Sequence, residues 1–261
     1  MSKKRDWNEV VIKLGTSVLA AGFLYGVLLF AIMLESVSAK AQSAPAAAGK
    51  NDIIAIDISL APDATMIKHA TTDNARLLKV FPKGYSLDAT HRPHITLVQR
   101  FVHTADLDKI YAAVGKVIAS ANVTGMKLEA YKYYYAPGGD LGVAGICARP
   151  TPEILKLQAD VIAAVAPFTV KTGPISAFTA PQATPAEDAD LIDYVTTFVP
   201  KMTGDHFNPH VSIGVAPRAY LDKMIAEPFT PFAFSPVGAN VYHLGPYGTA
   251  AKELKEWRPK P

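Results

Sequence analysis

The chain has 261 residues, of which 49% are hydrophobic and 19% charged, a balance that excludes an intrinsically disordered chain and allows one large domain or a two-lobed one. The formal charge is +3, but without residues 1–41 the count is 21 basic against 20 acidic residues, a net +1. That excludes an extended nucleic-acid surface of the kind that makes affinity steeply salt-dependent, so any phosphate recognition is local, in a pocket.

Residues 1–13 carry Lys3, Lys4, Arg5 and Lys13, and an uncharged apolar run follows over 14–34. Ala39-Lys40-Ala41 then fits the small-residue cleavage rule of a secretory signal. The run is also close to the ~20 residues that span a bilayer. Residues 1–41 are therefore expected to be a signal peptide or an N-terminal membrane anchor. Either form places the domain outside the inner membrane, periplasmic or held at its outer face. Membrane contact is expected only through 14–34, if that segment is uncleaved. A small-residue linker covers 42–51, and the folded domain is expected over 52–258.

Period-two alternation of Ile54, Ile56, Ile58 and Leu60 reads as a strand over 51–60, and apolar residues at helical spacing predict a helix over 61–81. A strand over 92–102 precedes a helix over 104–120, with Thr104 as its expected N-cap. Strands over 126–135 and 140–150 flank the turn "APGG". A helix over 151–168 opens on Thr151 and Pro152. A Pro/Thr/Ala-rich loop (171–186) leads to a helix at 187–199. A strand (208–216), a helix (217–227) and two strands (230–236, 238–244) complete the order. Cys147, the only cysteine, lies in an apolar strand and reads as a buried small residue. No GxGxxG, P-loop or CxxC pattern occurs, so nothing points to a dinucleotide, a P-loop nucleotide or a redox pair.

This order repeats. Strand, helix, loop, His-bearing strand, helix, strand runs once over about 52–134 and again over about 141–236. "PHITL" (93–97) answers "PHVSI" (209–213), and "LDK" (107–109) answers "LDK" (221–223). The expected fold is α+β: a duplicated, two-lobed domain with two antiparallel sheets flanked by helices around a central cleft. The lobes are expected at about 52–140 and 141–250, with an insertion at about 170–205.

Three His-x-Ser/Thr triplets occur: His69/Thr71, His94/Thr96 and His210/Ser212. The first lies in a predicted helix, where i and i+2 diverge. The other two follow a proline and lie in β runs, where i and i+2 face the same side. Two such strands, related by duplication, can present two imidazoles and two hydroxyls to one cleft. That set suits phosphodiester cleavage. One histidine takes a proton from the attacking oxygen, the other gives one to the leaving oxygen, and the hydroxyls donate to non-bridging oxygens. No metal and no other cofactor is required. The spacings His91/His94 and His206/His210 are numerically zinc-like, but i and i+3 diverge on a strand, and Pro93 and Pro209 preclude a helix. His91 and His206 are expected at the rim.

At "PHITL" and "FNPHVSIGV" the chain resembles the two-histidine (2H) phosphoesterases, which include bacterial 2′,5′-RNA ligase-like proteins and cyclic nucleotide phosphodiesterases. The resemblance implies that His94 and His210 are an acid–base pair, with Thr96 and Ser212 holding the phosphate. It also implies a small phosphodiester, such as a cyclic nucleotide or an RNA end, as substrate. Tyr133 (with Tyr131 and Tyr135 on one strand face), Phe207, Tyr247 and Arg92 are candidate substrate contacts. A monomer is expected. Two alternatives stay open: a catalytically silent nucleotide-binding module of the same fold, and a His-rich metal-dependent hydrolase.

Overall fold

The computed structural model describes residues 52–258. The expected signal or anchor and the linker lie outside the described residues. Among the described residues, nine strands and six α-helices follow the expected order with three additions: a two-residue strand at 169–170, a short helix at 198–202 and a last strand at 250–257. They are β1 (Ile53–Pro62), α1 (Ala64–Val80), β2 (Ile95–His103), α2 (Leu107–Ser120), β3 (Leu128–Gly138), β4 (Leu141–Ala148), α3 (Pro152–Val165), β5 (Thr169–Val170), α4 (Pro185–Thr196), α5 (Phe198–Met202), β6 (His210–Pro217), α6 (Arg218–Ile225), β7 (Phe232–Phe234), β8 (Pro236–Leu244) and β9 (Ala250–Trp257).

Local chemistry sets the boundaries. Asp63 caps α1, its Oδ1 accepting from the Thr65 and Met66 amides at 3.0 and 3.1 Å, while its Oδ2 accepts from the Ser235 amide at 2.8 Å. One carboxylate thus starts the helix and ties it to the β7–β8 junction, a cap worth about 1 kcal/mol. Thr151 caps α3 with Pro152 in the first turn, as its sequence indicates. Thr104 does not cap α2; it falls in a 3-10 turn, Thr104–Asp106, that precedes the helix. Thr184 and Glu187 form a reciprocal capping box on α4. The hairpin between β3 and β4 turns at Gly139, whose φ of +59° favours glycine.

The strands form one antiparallel sheet in the order β7-β3-β4-β6-β2-β1-β8-β9, with β5 beside β2. Two four-stranded halves, β7-β3-β4-β6 and β2-β1-β8-β9, are joined by a single residue pair, Ile95 with Val211. The two sheets expected from sequence are thus hydrogen-bonded at one point into a single curled surface. The halves are interleaved along the chain rather than consecutive. Strand β3 pairs with β4, and β8 pairs with β1, so each repeat lends its last long strand to the other. The helices cross over as well: α1 packs on β6 and α3 on β2.

The main core lies between the sheet and these helices. Ile56, Ile58, Leu60, Ile95, Leu97, Val211 and Ile213 are fully buried in it, each contributing about 1.5–3 kcal/mol. A second cluster covers part of the other face. There Phe178, Leu191 and Val195, from the expected insertion, pack on Ala55, Phe101 and Leu244. The uncovered remainder of that face is the cleft.

Candidate active site

The two His-bearing strands meet at Ile95 and Val211. Antiparallel register about that pair sets His94 across from Ser212 and Thr96 across from His210. Ile95 and Val211 are both fully buried. Alternation therefore turns the four polar residues to the opposite face, where all four line one cavity of about 630 Å³. Each strand then carries the same irregularity. Thr96 pairs with Ser59 and Val98 with Ile58, leaving Leu97 as the extra residue. Ser212 pairs with Gly145 and Gly214 with Ala144, leaving Ile213 extra. Leu97 and Ile213 are 116 residues apart, the offset that also separates His94 from His210. The duplication thus extends to the bulge that aims each motif into the cleft.

The histidines are oriented alike. Nδ1 of His94 bonds the Arg92 carbonyl at 2.6 Å, and Nδ1 of His210 bonds the Asn208 carbonyl at 2.7 Å. A carbonyl only accepts, so Nδ1 carries the hydrogen and Nε2 is left for a proton in transit. The intervening Pro93 and Pro209 have restricted φ and hold the carbonyl two residues back in place. Gly145 gives His210 room, since a Cβ there would meet the His210 Cδ2 at 3.1 Å and the Val211 carbonyl at 3.2 Å. The Tyr134 ring tilts against His210, with centroids 5.3 Å apart.

Behind the motifs the symmetry ends. Asp57, fully buried on β1, accepts from Thr96 Oγ1 at 2.7 Å and Gln99 Nε2 at 2.9 Å on its Oδ2. The same oxygen lies 3.8 Å from His94 Nε2. Ser212 instead has the Tyr85 phenol beside it, as does the Gly214 backbone. A carboxylate can only accept, so the Thr96 proton points at Asp57 and away from the cleft. A phenol, unlike a carboxylate, can either donate or accept, so Ser212 is not bound to spend its proton on its neighbour. Thr96 therefore departs from its expected part as a donor to phosphate, because sequence reading did not pair it with Asp57. Burial, with the His94 charge beside it, pushes the His210 imidazole below the usual histidine value and keeps it neutral. Burial likewise pushes the Tyr85 phenol up.

The other expected contacts divide. Tyr247 stands at the cavity rim, 56% exposed, with a φ of +59°. Phe207 lines the wall from within the core. Arg92 reaches the rim, but its guanidinium is 3.3 Å from Glu253 on β9. Tyr133 is not at the site: its hydroxyl donates to Asp73 at 3.1 Å and its ring packs edge-on against Phe229. Period two applies here with the opposite phase, so Tyr134 faces the cleft while its neighbours face the helices. His91 lies in the cavity lining, stacked on Tyr85 with centroids 4.8 Å apart. His243 bonds the Ala177 carbonyl at 2.9 Å and is structural. Cys147 is buried, and burial raises its thiol. Among the described residues no group of three His, Cys, Asp or Glu side chains converges as a metal site. Sequence reading missed Asp57, Gln99, Tyr85 and Tyr134. The available signal for Asp57 was a lone charge inside "IIAIDISL".

No protein-family model and no curated protein sequence matches the chain. Solved structures do. TT0787 of Thermus thermophilus is 15% identical, with a TM-score of 0.46 over 78% of this chain and 97% of that one. Usb1 of Kluyveromyces marxianus is 11% identical, with a TM-score of 0.39 over 80% and 99%. LigT of E. coli, solved with 3′-AMP, is 12% identical, with a TM-score of 0.37 over 82% and 100%. At these identities and TM-scores, all below 0.5, the matches decide neither family nor chemistry, which rest on this chain's own residues.

Proposed function

We propose that this protein is a metal-independent phosphodiesterase acting on small cyclic or 2′,5′-linked nucleotide-type phosphodiesters. The observation that carries the reading is the arrangement of His94, Thr96, His210 and Ser212 about the Ile95–Val211 pair, with both Nε2 atoms unclaimed by the backbone. One imidazole takes a proton from water as its oxygen attacks phosphorus. The bond from phosphorus to the leaving oxygen breaks, and the second imidazole supplies that oxygen with a proton. The products are a monoester and an alcohol, and solvent exchange restores both histidines. The Ser212 hydroxyl donates to a non-bridging oxygen where charge builds.

The cavity of about 630 Å³ suits a mononucleotide-sized ligand. Tyr134 and Tyr247 give it aromatic surface for a base. The apolar segment at 14–34 supports an exported protein, and a compartment poor in RNA favours a small substrate over RNA ligation. A panel of 2′,3′-cyclic nucleotides and 2′,5′-linked dinucleotides, assayed with and without chelator, tests the reading. Hydrolysis is expected with chelator present and is expected to vanish in His94→Ala/His210→Ala. Activity that survives loss of both imidazoles, or that a chelator abolishes, overturns it.

A further inference from the structure

We propose that the cleft selects its ligand by charge: it takes a phosphodiester with no second phosphate, and Glu187 and Asp190 of α4 enforce the choice. Among the described residues that line the cavity, Arg92 is the only lysine or arginine. Its guanidinium is 3.3 Å from the Glu253 carboxylate, which also accepts from Asn240 Nδ2 at 3.1 Å. The fixed positive charge at the rim is thus already paired. The β3–β4 hairpin gives the lining Tyr134, glycines and apolar residues, and no charged side chain.

Helix α4 adds charge of the other sign. Glu187 and Asp190 line the same cavity and are exposed. Spaced i, i+3, they share one face of the helix. Among the described residues no ion pair neutralises either of them. Leu191 and Val195 of the same helix are buried in the second core cluster, which fixes the acidic turn in place. The N-terminus of α4, which could otherwise bind an anion, is filled by the chain itself. Glu187 accepts from the Thr184 amide at 2.9 Å, Thr184 Oγ1 accepts from the Glu187 amide at 3.3 Å, and Asp188 accepts from the Gln182 amide at 2.6 Å.

Phosphate chemistry turns this charge distribution into selectivity. A phosphodiester carries one negative charge at neutral pH, whereas a monoester, with a second pKa of about 6, carries nearly two. The two imidazoles and the Ser212 hydroxyl serve one anion between them. A second phosphate finds no unpaired lysine or arginine in the lining and meets the α4 carboxylates instead. Repulsion between like charges a few ångströms apart at a protein surface is worth about tenfold in affinity, and salt screens it. The substrate class is therefore a nucleoside-type diester whose remaining groups are uncharged. The same field acts after the reaction: hydrolysis turns a monoanion into a dianion, so the cleft holds its product less tightly than its substrate.

This selection rests on the phosphodiesterase reading, but its binding content is measurable without turnover. The test compares the full-length protein with Glu187→Gln/Asp190→Asn and with Asp190→Asn alone. Both replacements keep side-chain size, and glutamine can still close the capping box. One arm measures kcat/KM for adenosine 2′,3′-cyclic phosphate with and without a 5′-phosphate, at low and at high salt. The other measures by calorimetry the affinity for adenosine 2′-monophosphate and for adenosine 2′,5′-bisphosphate. The wild type is expected to favour the ligand without the 5′-phosphate by about tenfold in both arms. That preference is expected to shrink with salt and to fall toward unity in the double variant, with Asp190→Asn between. Equal treatment of the paired ligands by the wild type, or a preference that neither salt nor the substitutions reduce, overturns the charge selection. Discrimination in binding by a protein that cleaves neither cyclic phosphate supports the charge selection and overturns the enzymatic reading. Failure to bind either nucleotide overturns both.

Discussion

Ser212 and Thr96 occupy equivalent positions on β6 and β2, yet Thr96 donates to a carboxylate while Ser212 has a phenol beside it. That difference predicts unequal roles. Ser212→Ala removes a donor from the cleft and is expected to lower kcat by about 10²–10³-fold with little change in KM. Thr96→Val removes a proton that already points at Asp57 and is expected to cost less in steady-state rate. Equal losses would contradict this division. The direction of the His210 shift carries a second consequence. A lowered imidazole stays neutral to lower pH, so the His210 ring is expected to titrate below the ordinary histidine value of 6.5 in an NMR pH series, and a midpoint at or above that value would contradict its desolvation. The four motif residues were legible in sequence because strand alternation fixes which side chains share a face. Asp57 was not, because its partner Gln99 is 42 residues away and only strand pairing brings them together.

At the scale of elements, the Asn74 side chain ties the segment between α1 and β2 to β6. The Asn74 amide donates to the Tyr85 and Ile213 carbonyls at 2.9 Å each, and its Oδ1 accepts from the Leu87 amide at 3.1 Å. Asn74→Ala leaves buried backbone groups unpaired and frees the loop that carries Tyr85 to Ser212. A loss of about 1–3 kcal/mol in chemical denaturation is expected, with a lower kcat. An unchanged midpoint would show that the loop is held by its packing alone. The strands and helices around this loop follow from periodicity, and most boundaries fall within a few residues of expectation. Strand β9 did not follow. Its charges (Lys252, Glu253, Lys255, Glu256) leave no apolar alternation, and they suit an edge strand that must refuse further pairing. Tyr133 and Tyr134 show the limit of period two, which gives the alternation but not which phase faces the cleft.

Across the whole molecule, the repeat visible in sequence is a repeat of order, not of independent lobes. Each half completes its sheet with a strand from the other, β3 with β4 and β8 with β1. The cleft lies where the halves touch at one residue pair, and the 170–205 insertion walls one side of it with α4 and α5. The two-lobed plan was legible from the order of elements. The β3–β4 half of the exchange was legible as a hairpin around "APGG", but the β8–β1 half was not, because partners more than a hundred residues apart leave no local trace. The Ile95–Val211 pair, one residue from each histidine, brings both imidazoles to the same cavity. The most direct measurement is kcat/KM on a 2′,3′-cyclic nucleotide for the wild type, His94→Ala, His210→Ala and the double variant. If the imidazoles act as one acid–base unit, each single substitution lowers the rate by about 10²–10⁴-fold and the double falls little further. A single substitution that leaves the rate near wild type would contradict the account.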